Sequence, residues 1–222
     1  MLYYILQVSP DAVETASKIS MIDLLQKGGW IMYPLYILFA ATIYVFFERV
    51  IAIRKASKIE TSFMNIIKDN IVSGNIGAAR NLAKNTDNPV AKMIDKGIQR
   101  IGKPIDAIER SMEIVGKLEM YKMEKNLTML SVIARIAPLF GFVGTIVGLV
   151  ILLKEFATIS NPSISQIADA MYIKLITSAS GLIIGMLAFL GYSYLDTQIN
   201  RTANRMEAAS SEFIDVLQEP TK

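Results

Sequence analysis

The chain has no cysteine and no histidine among its 222 residues. The first absence excludes disulfides, thiolate nucleophiles and c-type haem attachment; the second excludes imidazole metal ligands and the usual general base. No metal, no cofactor and no enzymatic activity are therefore expected. An excess of either charge is missing too, since 23 Lys and Arg face 20 Asp and Glu for a formal net charge of +3. The basic residues are spread along the chain rather than gathered into a patch, so no nucleic-acid partner is expected. Over three long stretches, charge of any sign is absent.

What is present is apolar. Hydrophobic residues make up 52% of the chain and the mean hydropathy is +0.39, too high for an ordinary soluble domain of this size. Crossing a hydrocarbon core of about 30 Å takes about 20 apolar residues, and three runs qualify. The first, GGWIMYPLYILFAATIYVFF, lies between Lys27 and Glu48. The second is the uncharged IAPLFGFVGTIVGLVILL, Ile136 to Leu153, extended backwards past Arg135 to about Asn126, and the third, LITSASGLIIGMLAFLGYSYL, lies between Lys174 and Asp196. Trp30, Tyr33, Tyr44, Tyr192 and Tyr194 stand near the ends of runs, where aromatic rings favour the membrane interface. The opening MLYYILQV is apolar but short and lacks a basic start, so it is not read as a signal peptide.

Orientation follows from flanking bases. Arg49, Arg54, Lys55 and Lys58 crowd the exit of the first run, whereas Lys27 is nearly alone before it, which puts the N-terminus outside by the positive-inside rule. The expected fold is an all-α membrane protein with three transmembrane helices and long cytoplasmic helical extensions. Residues 1–27 would lie outside with an amphipathic lead-in, 28–48 would form the first span and 49–125 a cytoplasmic helical region. Residues 126–153 would form the second span, 154–173 an outer loop and the start of the third helix, 174–195 the third span and 196–222 a cytoplasmic C-terminal helix.

The insertion reads as helices joined by turns, because SGNIGAARNLAKNTDNPVAKMIDKGIQRIGKP alternates short apolar-periodic segments with Gly, Asn-Pro and Gly-Lys-Pro punctuation. After Pro104, a favoured first helical residue, Ile105, Ile108, Met112 and Val115 recur at helical spacing. With no strong breaker before Pro138, this helix is expected to run directly into the second span, about 70 Å from Ile105 to Leu153. The third span is expected to continue through Ile199, Met206, Phe213 and Val216. The alternative is separate surface helices.

Within the spans, Ala137, Gly141 and Thr145 fall four apart on one helical face, with Gly144 and Gly148 beside them. Thr177, Gly181 and Gly185 repeat the spacing in the third span. Small residues so placed let helices approach closely in lipid, where no hydrophobic drive joins them. The hydroxyls of Thr145, Thr177, Ser178 and Ser180 either bond back to their own helix or form a polar, neutral lining. A proton path ordinarily needs a titrating residue, and neither uncharged run carries a carboxylate. If this chain conducts protons, another chain brings the acid.

Three stretches carry a resemblance to a known family: LLQKGGWIMYPLYILFAATIYVFFERV, IARIAPLFGFVGTIVGLVILL and ITSASGLIIGMLAFLGYSYL. They are similar to the ExbB/TolQ/MotA family of inner-membrane proton-channel subunits, and most closely to its ExbB/TolQ branch. The spacing of Ala-Pro, the glycines and Gly-Thr in the second stretch is the most specific part, and GNIGAARNLAKNTDNPVAKMIDKGIQR resembles the family's cytoplasmic region. MotA-like members have a fourth span.

The resemblance implies a homo-oligomer, a pentamer, around a central pore that holds transmembrane helices of an ExbD- or TolR-like partner. An aspartate of that partner would carry the proton, facing Thr145, Thr177 and Ser178. It implies residence in the inner membrane of a Gram-negative bacterium with the N-terminus periplasmic. The motion would pass to a TonB- or TolA-like protein, so the chain would energise either TonB-dependent outer-membrane transport or the Tol-Pal envelope system. A non-conducting membrane scaffold is the reading from another class.

The chain also departs from the family. Leu187 stands where many relatives have a proline, and Ile173 where some have a glutamate, so no role passes to Ile173. Lys174 either snorkels to the outer interface or pairs with a partner's acid. Arg135 snorkels, or binds anionic lipid headgroups or a partner carboxylate.

Overall fold

A computed structural model describes residues 32–56, 62–158 and 164–218. The N-terminal segment 1–27, Trp30, the start of the first span and residues 159–163 of the connection lie outside the described residues, as does the side chain of Ile173. Every regular element among the described residues is a helix: α1 Met32–Ala56, α2 Phe63–Val72, α3 Ile76–Asn85, α4 Pro89–Ile98, α5 Ile105–Glu124, α6 Leu127–Phe156 and α7 Ile164–Gln218. Three of them, α1, α6 and the part of α7 from Lys174, are long and apolar enough to cross a membrane.

The short helices start and stop where local chemistry dictates. Asn75 caps α3 by accepting from the Ala78 N–H at 3.2 Å, and Asn88 caps α4 by accepting from the Val90 N–H at 2.8 Å, with Pro89 at the first turn. These side-chain oxygens take up amide groups that a helix start leaves unpaired. Gly74, at φ +74°, turns the chain after α2, a conformation that costs a glycine little.

The helix expected to run unbroken from Ile105 into the second span is interrupted. It closes at Glu124, Lys125 takes an extended conformation, and Asn126 adopts φ +65° before α6 begins at Leu127. Asparagine is one of the few L-residues that enters the left-handed region readily. Pro138, by contrast, sits inside α6 without ending it. The third helix continues without interruption for 55 residues, about 80 Å. That is more than twice the hydrocarbon thickness, so much of it stands outside lipid.

The chain divides into two compact units. The first comprises Met1–Thr42 with Val132–Phe189, and its described core is Met32, Leu35, Ile133, Ala137, Ile184 and Ala188. Much of its surface is apolar: Tyr33, Ile37, Leu139, Phe142, Val143, Val150, Leu182 and Phe189 are all exposed in the single chain. Only 22% to 28% of the three span windows is buried inside the chain. In water such a surface would drive aggregation; in a bilayer it faces acyl chains or other apolar helices.

The second unit comprises Ile43–Ser131 with Leu190–Lys222. One cluster joins Ile67, Ala83, Val90, Ile94, Ile108, Met112, Met206 and Phe213; another joins Val45, Ile53, Leu127, Leu130, Leu195 and Ile199. Phe213 is 1% exposed, and burying a side chain of that size contributes about 1.5–3 kcal/mol. The amide of buried Asn88 donates to the Ala56 carbonyl at 2.7 Å, tying the end of α1 to the start of α4.

Candidate functional site

The small residues of the second and third spans meet each other. A side chain added at Gly181 would stand 2.6 Å from the Ala137 carbonyl oxygen and 2.9 Å from the Gly141 Cα. One added at Gly141 would stand 3.0 Å from the Ser178 carbonyl. Helices α6 and α7 therefore touch backbone to backbone, an approach only glycine permits on both sides. At Gly185 the obstacle is Pro138, whose Cγ would lie 2.6 Å away, with the Ala134 carbonyl at 3.0 Å. That carbonyl is the one whose helical donor the proline removes, so Gly185 faces the flaw in the α6 ladder. Gly144 is buried. Gly148 forms a notch filled by the aliphatic stem of Lys174, whose carbons lie where a side chain at 148 would go.

The hydroxyls gather on the same seam. Thr145 Oγ1 lies 3.1 Å from the Gly141 carbonyl of its own helix and 3.3 Å from the Lys174 carbonyl of α7. Its single proton thus has an acceptor on either side, and it links the two helices. Thr145, Ser178 and Ser180 are half-buried, whereas Thr177 is 2% exposed and enclosed by this chain alone. Lys174 is half-buried and Arg135 is exposed on α6, three residues before Pro138. From Arg135 to Lys154 on α6, and from Lys174 to Asp196 on α7, no charged residue intervenes. The seam is polar and carries no carboxylate between these charges, able to exchange hydrogen bonds but without an acid of its own.

Residues 85–208, more than half of the chain, match the MotA/TolQ/ExbB proton channel family. The chain belongs to that family. This MotA/TolQ/ExbB match covers α4, α5, α6 and most of α7, and so contains the whole seam. Among relatives, the biopolymer transport protein ExbB homolog of Methanothermobacter thermautotrophicus is 26% identical over 192 residues, 85% of this chain and 67% of that protein. The biopolymer transport protein exbB1 of Vibrio cholerae is 30% identical over 90 residues, 40% of each chain. The Tol-Pal system protein TolQ of Pseudomonas aeruginosa is 23% identical over 113 residues, 51% of this chain and 49% of that one. The protein is a membrane proton-channel subunit of the ExbB/TolQ kind, and relatives bearing either name match it.

Several polar contacts escaped the sequence reading. Thr42, 5% exposed in α1, donates to the Leu38 carbonyl at 2.8 Å; a hydroxyl inside FAATIYVFF was the available signal. In the second unit Glu119, 7% exposed, accepts from Lys92 at 3.4 Å and Lys122 at 2.5 Å. Lys92 also meets Asp87 at 3.0 Å. Its hydrogen bond holds the Asp87 carboxyl below the usual range, and Asp87 in turn raises Lys92 above its ordinary value. Arg49, 8% exposed, pairs with neighbouring Glu48, which also accepts from the Asn126 amide at 3.4 Å.

Proposed function

We propose that this chain is an ExbB-like subunit of a proton-driven motor in the inner membrane of a Gram-negative bacterium, with its N-terminus in the periplasm. Copies assemble as a pentamer around transmembrane helices of an ExbD-like partner, and proton flow energises TonB-dependent outer-membrane transport. The observation that carries the reading is Thr145: a hydroxyl shared between two span helices, in a seam without any acid. Such a lining suits a proton carrier supplied in trans, because a group that titrates must accept and release the proton. Thr145 and Ser178 are half-buried in the single chain, whereas Thr177 is enclosed within it. In this reading Lys174 pairs with a partner carboxylate or snorkels to the outer interface, and Arg135 snorkels or meets lipid headgroups or the partner. The TolQ relative supports a second reading, in which the same machine drives a TolA-like protein of an envelope system.

The test is proton flux in liposomes. The chain alone gives little flux, and flux rises when the ExbD-like partner is co-reconstituted. Thr145→Val, which keeps shape and removes the donor, then cuts partner-dependent flux at least tenfold while the oligomer stays intact by size. Strong flux from the chain alone, or full flux in Thr145→Val, refutes the assignment.

A further inference from the structure

A cleft of about 270 Å³ opens in the second unit beside the last two turns of α1. Its charged lining is four cations, Arg49, Lys55, Lys92 and Lys122, against two carboxylates, Asp87 and Glu119. Both acids are fully engaged. Asp87 takes Lys55 at 3.5 Å and Lys92 at 3.0 Å; Glu119 takes Lys92 at 3.4 Å and Lys122 at 2.5 Å. Lysine and carboxylate therefore alternate along a chain that begins and ends on a cation, Lys55 and Lys122. Such a series is one anion short. Arg49 does not supply the deficit, since it is a further cation paired with Glu48. Its Nε and one terminal nitrogen are committed to that carboxylate, and a guanidinium carries five N–H donors. The arginine side chain is 10% exposed, so it is a fixed group in the wall of the cleft.

The geometry points to a binding site for one phosphate group in the cleft that Lys55, Lys122 and Arg49 line. Phosphate fits for three reasons. Its oxygens accept from several donors at once, and arginine with lysines is the usual donor set. The cleft is at the small end of ligand-sized cavities, large enough for a headgroup. Two of its cations, Arg49 and Lys55, belong to a helix that qualifies as a membrane span, and Lys55 stands in its basic last turn, the level at which phospholipid phosphates lie. The same chemistry is met by an anionic phospholipid or by free phosphate. The inference stands independently of which motor the chain belongs to.

The test uses the full-length protein purified with its partner. In nanodiscs of equal parts phosphatidylglycerol and phosphatidylcholine, mass spectrometry of the released complex counts the lipids retained. In a parallel arm, thermal unfolding in neutral detergent is followed with and without inorganic phosphate. Lys55→Gln and Lys122→Gln remove the terminal cations, whose side chains are 78% and 57% exposed. Lys117→Gln removes a lysine that is 75% exposed and paired with Glu113 outside the cleft. Each terminal lysine is worth about fivefold in anion affinity, so the double variant loses roughly twenty-five-fold and Lys117→Gln nothing. Phosphatidylglycerol retention that follows this pattern identifies a lipid site. Stabilisation by phosphate that follows it without lipid preference identifies a soluble ligand. An equal response in Lys117→Gln, or no response to either probe in the unaltered protein, overturns the site. Unfolding of each variant without ligand verifies that it folds.

Discussion

A graded series of alanines tests the backbone contact between α6 and α7. At Gly77 on α3 an added methyl group meets nothing within 4 Å; at Gly141 it meets the Ser178 carbonyl at 3.0 Å; at Gly181 it meets the Ala137 carbonyl at 2.6 Å. Ordinary contact begins at 3.4 Å, so Gly181→Ala forces a retreat of about 0.8 Å, and the obstacle is backbone that cannot rotate away. Overpacking of that kind costs about 1–3 kcal/mol. Replacing glycine by alanine in a helix returns up to about 1 kcal/mol. The net expectation is a gain of up to about 1 kcal/mol at Gly77, little change at Gly141, and a loss of about 1 kcal/mol or more at Gly181. Thermal unfolding of the purified protein should separate the extremes by on the order of 5 °C. Function should fall further than stability. The Thr145 hydroxyl sits 3.3 Å from the Lys174 carbonyl, and the same retreat takes it beyond hydrogen-bonding reach. Partner-dependent flux in Gly181→Ala should therefore drop while flux in Gly77→Ala does not. A Gly181→Ala protein as stable as Gly77→Ala, with full flux, would show that the two spans do not pack through their backbones.

The helix break gives a second measurement: Asn126→Gly and Asn126→Ala both lose the amide to Glu48, so their difference isolates the left-handed backbone. Asn126→Ala should be less stable by about 1 kcal/mol, and equal unfolding temperatures would mean that φ +65° is not kept. A third concerns pH. The Asp87 carboxyl is held low in the folded chain by Lys92, so its contribution is present above its unfolded value near 4 and is lost as pH falls through the lower folded value. Lys92 is raised; its contribution is present below its unfolded value and disappears as pH rises through the folded one. Lys92→Met should flatten both limbs of the stability profile, and an unchanged acid limb would remove Asp87 from the account.

Much of the fold was legible because membrane helices announce themselves by length and polarity. The three apolar runs became α1, α6 and α7, and Asn-Pro and Gly-Lys-Pro marked the starts of α4 and α5. The break at Asn126 was not legible, since asparagine in the left-handed region leaves no periodic trace. A proline inside a span is tolerated when a neighbour fits against it, and Gly185, 47 positions later, provides that fit. The four-residue spacing of Gly141, Thr145, Thr177 and Gly181 marked the seam, but which helix each would face was not readable from spacing. The alternation of Lys55, Asp87, Lys92, Glu119 and Lys122 was hidden for the same reason, because its members come from α1, the start of α4, and α5.

The Gly148 notch makes two positions interdependent. With the Lys174 stem lying where any side chain at 148 would go, a larger residue there evicts the lysine, and shortening the lysine leaves the notch open. The two sites are coupled: a side chain at 148 takes the place of the lysine stem, and the lysine keeps its positive charge only by swinging out of the notch.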